Sequence, residues 1–181
     1  MTWIEKDNFL YLNYLNSKSR KECIGFDLDG TIINFGGKTE KFSFINDKIC
    51  NYIRNLYKKK YEIIIFSNQY GITKKIISKD IFKLKIENIV KKINIPIKFI
   101  CSIKKDYMRK PSIGMYDYIF NVKNYKKTKL KIYYGDAGGR YNDFSDSDLK
   151  FANNIGCVFI HINDFINNKK NNCIPKITYL I

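Results

Sequence analysis

Cys23-Ile24-Gly25-Phe26-Asp27-Leu28-Asp29-Gly30-Thr31 is the stretch from which the rest of the chain can be read. Its first four residues form an apolar run of the kind that makes a buried strand, and Gly30-Thr31 turns the chain sharply. Side chains two apart on a strand point the same way, so Asp27 and Asp29 can converge on one bound group. Carboxylates that close repel each other at neutral pH, so one must be protonated or a cation must lie between them. The end of a strand is also where open α/β sheets place their ligands. A lone D-x-D fits an Asx turn equally well, so the remainder of the chain has to decide.

Working outward, Phe9 to Tyr14 reads as a strand at a sheet edge, and Thr31 to Phe42 reads as a hairpin around Gly36-Gly37. Gly37-Lys38-Thr39 resembles the tail of a phosphate-binding P-loop. Ile32 stands where that loop needs its first glycine, and an extended segment follows where it needs a helix, so no kinase site is read here. Asp47 to Lys60 carries apolar residues at helical spacing, and Glu62 to Phe66 is a continuous apolar strand ending in Ser67-Asn68-Gln69. A helix is expected from Ser78 to Ile93, a strand from Ile97 to Ile100, and a loop bearing Arg109-Lys110-Pro111 before a short helix near Ser112. Lys131 to Tyr134 is the next strand, ending in Gly135-Asp136. A helix opened by Ser145-Asp146-Ser147-Asp148 and a strand from Cys157 to Ile160 follow. Strands alternating with helices predict a three-layer α/β sandwich around a mainly parallel sheet, with residues 1–181 as one domain.

Composition narrows the classes. The chain has 181 residues, 45% of them hydrophobic, and three prolines, which argues against extensive disorder. No apolar run reaches membrane-spanning length and no signal peptide is read, so an intracellular location, cytoplasmic or nuclear, is expected. The five cysteines are scattered and His161 has none close by, which gives zinc little support. The net charge of +16 points to an anionic partner, nucleic acid first, although a chain this rich in lysine, asparagine and isoleucine would be basic through composition alone.

Each polar cluster follows a strand: Asp27 with Asp29, Ser67 with Asn68, and Asp136. In such a sheet these ends lie along one edge, and the Lys110 loop can close over them. Together they supply a nucleophile, a second carboxyl, a hydroxyl and amide, a cation and a further acid. Oxygen-only donors suit Mg2+. Ser145-x-x-Asp148 also fits a helix capping box, which competes with any role of Asp148 in the site.

These motifs resemble those of the haloacid dehalogenase-like phosphatases. The match to the phosphatase domain of polynucleotide kinase 3′-phosphatases is narrower and covers nearly the whole chain. It runs through Trp3-Ile4-Glu5, GFDLDGTII, IIIFSNQYGI, YMRKPSIGMYD, YYGDAGGR and DFSDSDLKFANNIG. Two departures are the absence of a kinase or forkhead-associated module and a short spacer between GDAGGR and DFSDSD, which leaves Asp143 without an evident counterpart.

The resemblance implies a Mg2+-dependent polynucleotide 3′-phosphatase, monomeric and without a large cap domain, acting on DNA or RNA ends in strand-break repair. Asp27 would be the nucleophile and Asp29 the general acid and base. Ser67, Asn68 and Lys110 would hold the phosphate oxygens. Thr31, Gln69, Lys74, Arg109 and Arg140 would be substrate contacts. Mg2+ would be held by Asp27, the main-chain carbonyl of Asp29, and Asp136. Two other readings stand beside this one: a related phosphatase acting on a sugar or histidinol phosphate, and a basic nucleic-acid-binding protein with an inactive site.

Overall fold

The computed structural model describes residues 1–120 and 129–167. Cys173 lies outside them, and the four cysteines within are free. The chain runs β1 (Trp3–Glu5), β2 (Phe9–Tyr14), β3 (Glu22–Phe26), α1 (Ile49–Lys58), β4 (Glu62–Asn68), α2 (Tyr70–Thr73) and α3 (Lys79–Ile93). It continues through β5 (Ile97–Ser102), α4 (Gly114–Phe120), β6 (Lys129–Gly135), α5 (Ser147–Asn154), β7 (Val158–His161) and α6 (Ile162–Asn167). The strands form one sheet in the order β1-β2-β5-β4-β3-β6-β7. Strands β5, β4, β3, β6 and β7 are parallel, and β1 and β2 add an antiparallel border.

The central strands are apolar on both faces because helices cover both. Along β4, Ile63 and Ile65 enter one core layer while Ile64 and Phe66 enter the other. Ile49, Ile53 and Leu56 of α1, Phe82, Ile86, Ile89 and Ile93 of α3, and Ile162 of α6 complete the first layer. Met115 and Ile119 of α4 and Phe151 and Ala152 of α5 complete the second. This double burial makes the strands read as continuous runs rather than alternating ones. The Ser78 side chain caps α3 by accepting from Ile81 N at 3.2 Å, and Asn94 ends the helix in the left-handed region at φ 55°.

Two expectations need correction. Phe9–Tyr14 is not an edge strand, because Trp3–Glu5 pairs along its outer side. A three-residue strand carries too little pattern to be read locally. The hairpin around Gly36-Gly37 reduces to a single bridge between Ile33 and Phe44, supported by Asn34 N donating to Ser43 O and Ile45 N donating to Ile32 O. The glycines between face Lys85 of α3 and Asp29 instead of each other's strand. The short helices α2 and α6 lie below the length at which helical periodicity is visible in a sequence.

At the amino-terminal end of the sheet, Lys98 of β5 and Glu62 of β4 form a fully buried ion pair. Glu62 also accepts from Arg20 N at 3.2 Å. Removing one partner strands the other charge, at a typical cost of about 3–5 kcal/mol. Glu62→Ala is expected to lower the urea midpoint accordingly, while Glu62→Leu with Lys98→Met recovers most of the loss. A double variant no more stable than Glu62→Ala would overturn this account.

Candidate active site

The carboxyl ends of β3, β4 and β6 bring Asp27, Ser67 and Asp136 to one edge of the sheet, beside a cavity of about 760 Å3. Its walls include Asp27, Asp29, Ser67, Asn68, Gln69 and Lys110, and a loop contributes Phe35, Gly36, Gly37 and Lys38. No cap domain stands over it among the described residues.

Lys110 occupies the floor. Its buried ammonium donates to Asp27 Oδ1 at 2.6 Å, Asp148 Oδ1 at 2.7 Å, Tyr133 OH at 2.8 Å and Phe66 O at 3.0 Å. Burial works to lower its pKa, but Asp148 and Asp27 outweigh burial and raise it. The lysine is therefore a held cation between two carboxylates. The Asn68 side chain keeps the lysine in place, donating to Lys110 O at 3.1 Å and accepting from Lys110 N at 3.0 Å. That amide spends one of its two N–H donors on the loop and keeps the second at the cavity wall.

Asp148 resolves the question left by Ser145-x-x-Asp148. No capping box forms: Asp146 is the N-cap of α5 and makes no side-chain cap bond. Asp148 is buried, its Oδ2 accepting from Ala137 N at 3.2 Å and its Oδ1 from Lys110. One ligand atom from each of Asp27, Asp136 and Asp148 lies within 4.8 Å of the others. With all three carboxylates ionised against one lysine, the formal local charge is −2. Asp136 Oδ1 is buried and has no hydrogen-bond partner. An oxygen-only set with that charge and an orphaned acceptor fits a divalent hard cation such as Mg2+. The close approach depends on glycine. At Gly30, with φ 80°, an added Cβ would collide with Asp136 Oδ2, and at Gly135 it would collide with Asp148 Oδ2.

Asp29 is held separately. Gln69 Nε2 donates to Asp29 Oδ2 at 2.5 Å and to Ser67 Oγ at 2.8 Å. Burial raises the Asp29 pKa, and Gln69, Lys85 and a bond from the Gly36 backbone only partly oppose it. Asp27 is pushed well up, burial acting first and Lys110 working against it, and Asp136 is raised from 3.8 to about 6 by burial and by Asp148. The Gln69 amide is thus spent on orienting Asp29 and Ser67.

Three residues expected at the substrate lie off the cavity wall. Thr31 is wholly buried behind the D-x-D turn. Lys74 sits beyond α2, its Nζ 5.4 Å from the centre of the Tyr70 ring. Arg140 makes a bidentate ion pair with Asp164 of α6, a partner carried on a helix that the sequence did not disclose. Arg109 does line the cavity, and its Nη1 is buried without a hydrogen-bond partner. Asp143 is a brace: it accepts from Gly138 N and Arg140 N, both at 3.0 Å, and lies 3.2 Å from His161 Nε2, which also meets Asp136 O at 2.9 Å.

Four site residues were missed. Tyr133 was one of fourteen tyrosines in the sequence with nothing to single it out. Phe35 and Phe144 meet edge to face at 5.8 Å on the cavity wall, yet both are largely exposed and looked like loop residues. Lys85 did leave a signal, because it stands among Phe82, Ile86 and Ile89 on the apolar stripe of α3, where a lysine is out of place.

The sequence profile described as polynucleotide kinase 3 phosphatase matches residues 22–166. The chain is 34% identical over 164 residues to a bifunctional polynucleotide phosphatase/kinase of Schizosaccharomyces pombe, covering 87% of this chain and 40% of that protein. It is 29% identical over 178 residues to the polynucleotide 3′-phosphatase ZDP of Arabidopsis thaliana, covering 87% of this chain and 26% of that one. It therefore spans less than half the length of either relative. Among solved structures, a D,D-heptose 1,7-bisphosphate phosphatase from B. bronchiseptica, complexed with magnesium and phosphate, superimposes with a TM-score of 0.63. That match has 16% identity and covers 76% of this chain and 78% of that one, a likeness of fold.

The raised carboxyls give the metal-free protein a pH signature. Asp136 holds its proton more tightly folded than unfolded, so its stabilising contribution is full below about 4 and is lost as pH rises through about 6. Asp27 and Asp29 shift in the same direction. In EDTA, Asp136→Asn is expected to be more stable than the parent at pH 7 by about 1–2 kcal/mol, after discounting for solvent screening. The difference should vanish by pH 4. A variant less stable than the parent at pH 7 under these conditions would contradict the electrostatic reading.

Proposed function

The chain belongs to the polynucleotide kinase 3 phosphatase family, and from that membership together with the site we propose that it removes 3′-phosphates from nucleic-acid ends. The observation that carries this is the pairing of two differently treated carboxylates on one strand end. Asp27 is bonded to a fixed lysine, and Asp29 is part-buried, has no hydrogen bond from that lysine, and is aimed by Gln69. That division suits a nucleophile and a general acid.

In this reading Asp27 attacks phosphorus, the bond to the 3′ oxygen breaks, and Asp29 gives that oxygen its proton. Water then attacks the aspartyl-phosphate while Asp29 takes a proton back, returning Asp27 and inorganic phosphate. Lys110 favours the ionised form of Asp27 against its burial and stays close as negative charge gathers. Ser67 presents its hydroxyl to the phosphate from the cavity wall. Asn68 fixes the Lys110 loop, and the Arg109 guanidinium offers an unused donor at the cavity. Mg2+ held by Asp27, Asp136 and the main-chain carbonyl of Asp29, with Asp148 beside them, would offset the repulsion between carboxylate and phosphate dianion.

DNA ends are the proposed substrate, consistent with the basic charge of the chain, and repair of broken strands in an intracellular compartment is the proposed setting. A sugar or histidinol phosphatase is the less favoured alternative, since the family and the relatives named above act on polynucleotides by their names. No described helix is long and apolar enough to cross a membrane.

Asp27→Asn is expected to keep the fold and lose release of phosphate from a 3′-phosphorylated oligonucleotide by at least about a thousandfold, an estimate set by the loss of the covalent route. Chelation with EDTA should silence the parent protein without unfolding it, and Mg2+ should restore the rate. Turnover by Asp27→Asn, or a rate indifferent to chelation, would sink the assignment. Equal or better turnover of small sugar phosphates than of the oligonucleotide would favour the alternative.

A further inference from the structure

Lys85 is a buried cation in the cavity wall that the reaction outlined above does not use. It projects from α3 and is only 4% exposed, and among the described residues its ammonium has one hydrogen-bond partner, Gly37 O at 2.9 Å. A lysine buried to this degree is ordinarily matched by a carboxylate in direct contact. Here Asp29 and Glu40 act only through space, and burial lowers the lysine's pKa in spite of them. Lys110 differs sharply, its ammonium being engaged by four partners within the site. Of the two, Lys85 has donors to spare.

Its position relative to Asp29 says what those donors face. Gly36 donates its backbone N–H to the Asp29 carboxylate, and the adjoining Gly37 carbonyl accepts from Lys85. A Cβ at Gly36 would lie 2.8 Å from Lys85 Nζ and 3.9 Å from Asp29 Oδ1, so the lysine and the acid flank the same glycine. The general acid stands where the leaving 3′ oxygen departs. A cation beside Asp29, rather than beside Asp27, is therefore on the nucleoside side of the reacting phosphorus. The next anionic group along a strand in that direction is the phosphate on the 5′ side of the terminal nucleoside. The Phe35, Ile76, Ile77 and Phe82 side chains also line this cavity and offer an apolar surface for the sugar and base between the two phosphates.

We propose that Lys85 is a specificity-determining residue that binds the phosphate 5′ to the terminal nucleoside, so that the site measures the spacing between two phosphates. This rests on the 3′-phosphatase reading and adds to it the reason a strand end would be preferred to a free nucleotide.

The test compares two substrates that differ by that phosphate alone, thymidine 3′-monophosphate and thymidine 3′,5′-bisphosphate, with 3′-phosphate release measured for each. The parent protein is expected to favour the bisphosphate in kcat/KM by about tenfold or more, as a charge-assisted contact allows. Lys85→Met is expected to erase most of that ratio, chiefly through KM for the bisphosphate, and Lys85→Arg to retain it by keeping the charge. Circular dichroism establishes that each variant is folded. If Lys85→Met depresses both substrates by the same factor, the lysine only holds the glycine loop and the proposal falls. It falls equally if the parent shows no preference, or if Lys85→Arg loses the ratio as fully as any neutral replacement, which covers a Lys85→Met that does not fold. If the parent releases phosphate from neither nucleotide but does so from small sugar esters, the 3′-phosphatase reading itself fails, an outcome separate from the others.

Discussion

One buried ammonium organises this molecule's functional edge. Lys110 reaches Asp27 at the end of β3, the Phe66 carbonyl in β4, Tyr133 in β6 and Asp148 in α5, so four elements converge on a single charge. Burying such a group is costly, and one cation cannot balance the three carboxylates around it. The arrangement is left with a formal charge of −2 and an orphaned acceptor on Asp136. It is an incomplete electrostatic structure, with a charge and a donor set that suit a divalent cation. The stability that tolerates it comes from the two apolar layers on either side of the sheet.

The parallel sheet explains how so many polar groups come together without disturbing those layers. Parallel strands all end at the same edge, so residues remote in sequence become neighbours there while the strand bodies stay apolar. Space at the edge is made by glycine. Gly30 and Gly135 yield room to the carboxylates of Asp136 and Asp148, and Gly36 lets the loop approach both Asp29 and Lys85. The glycines that read as turn residues are thus, in part, the holes into which the acidic groups fit.

Charge tells a less direct story. The net +16 suggests a surface made for a polyanion, but three of the four arginines are occupied within the protein. Arg20 donates to Tyr57 O and Tyr61 O, Arg54 to Ile93 O and Lys92 O, and Arg140 to Asp164. Arg109 has a buried donor with no partner, and it faces the cavity. Function is therefore better sought in a few placed cations than in the overall excess.

The sequence by itself determined the α/β class, the order of the long elements and the strand ends that bear Asp27, Asp29, Ser67 and Asp136. Those follow from patterns local to a few residues: double-faced burial makes a continuous apolar strand, and Ser78 opens a helix by its own capping chemistry. Only the tertiary structure decided how the side chains are spent. Asn68 closes on the Lys110 peptide, Gln69 on Asp29, Arg140 on Asp164, and Asp148 enters the site in place of capping its helix. A polar side chain's partner is chosen by distance in space, and the partners here lie 11 to 42 residues away. Local sequence names the donors and acceptors; the packing of the sheet edge selects which of them meet.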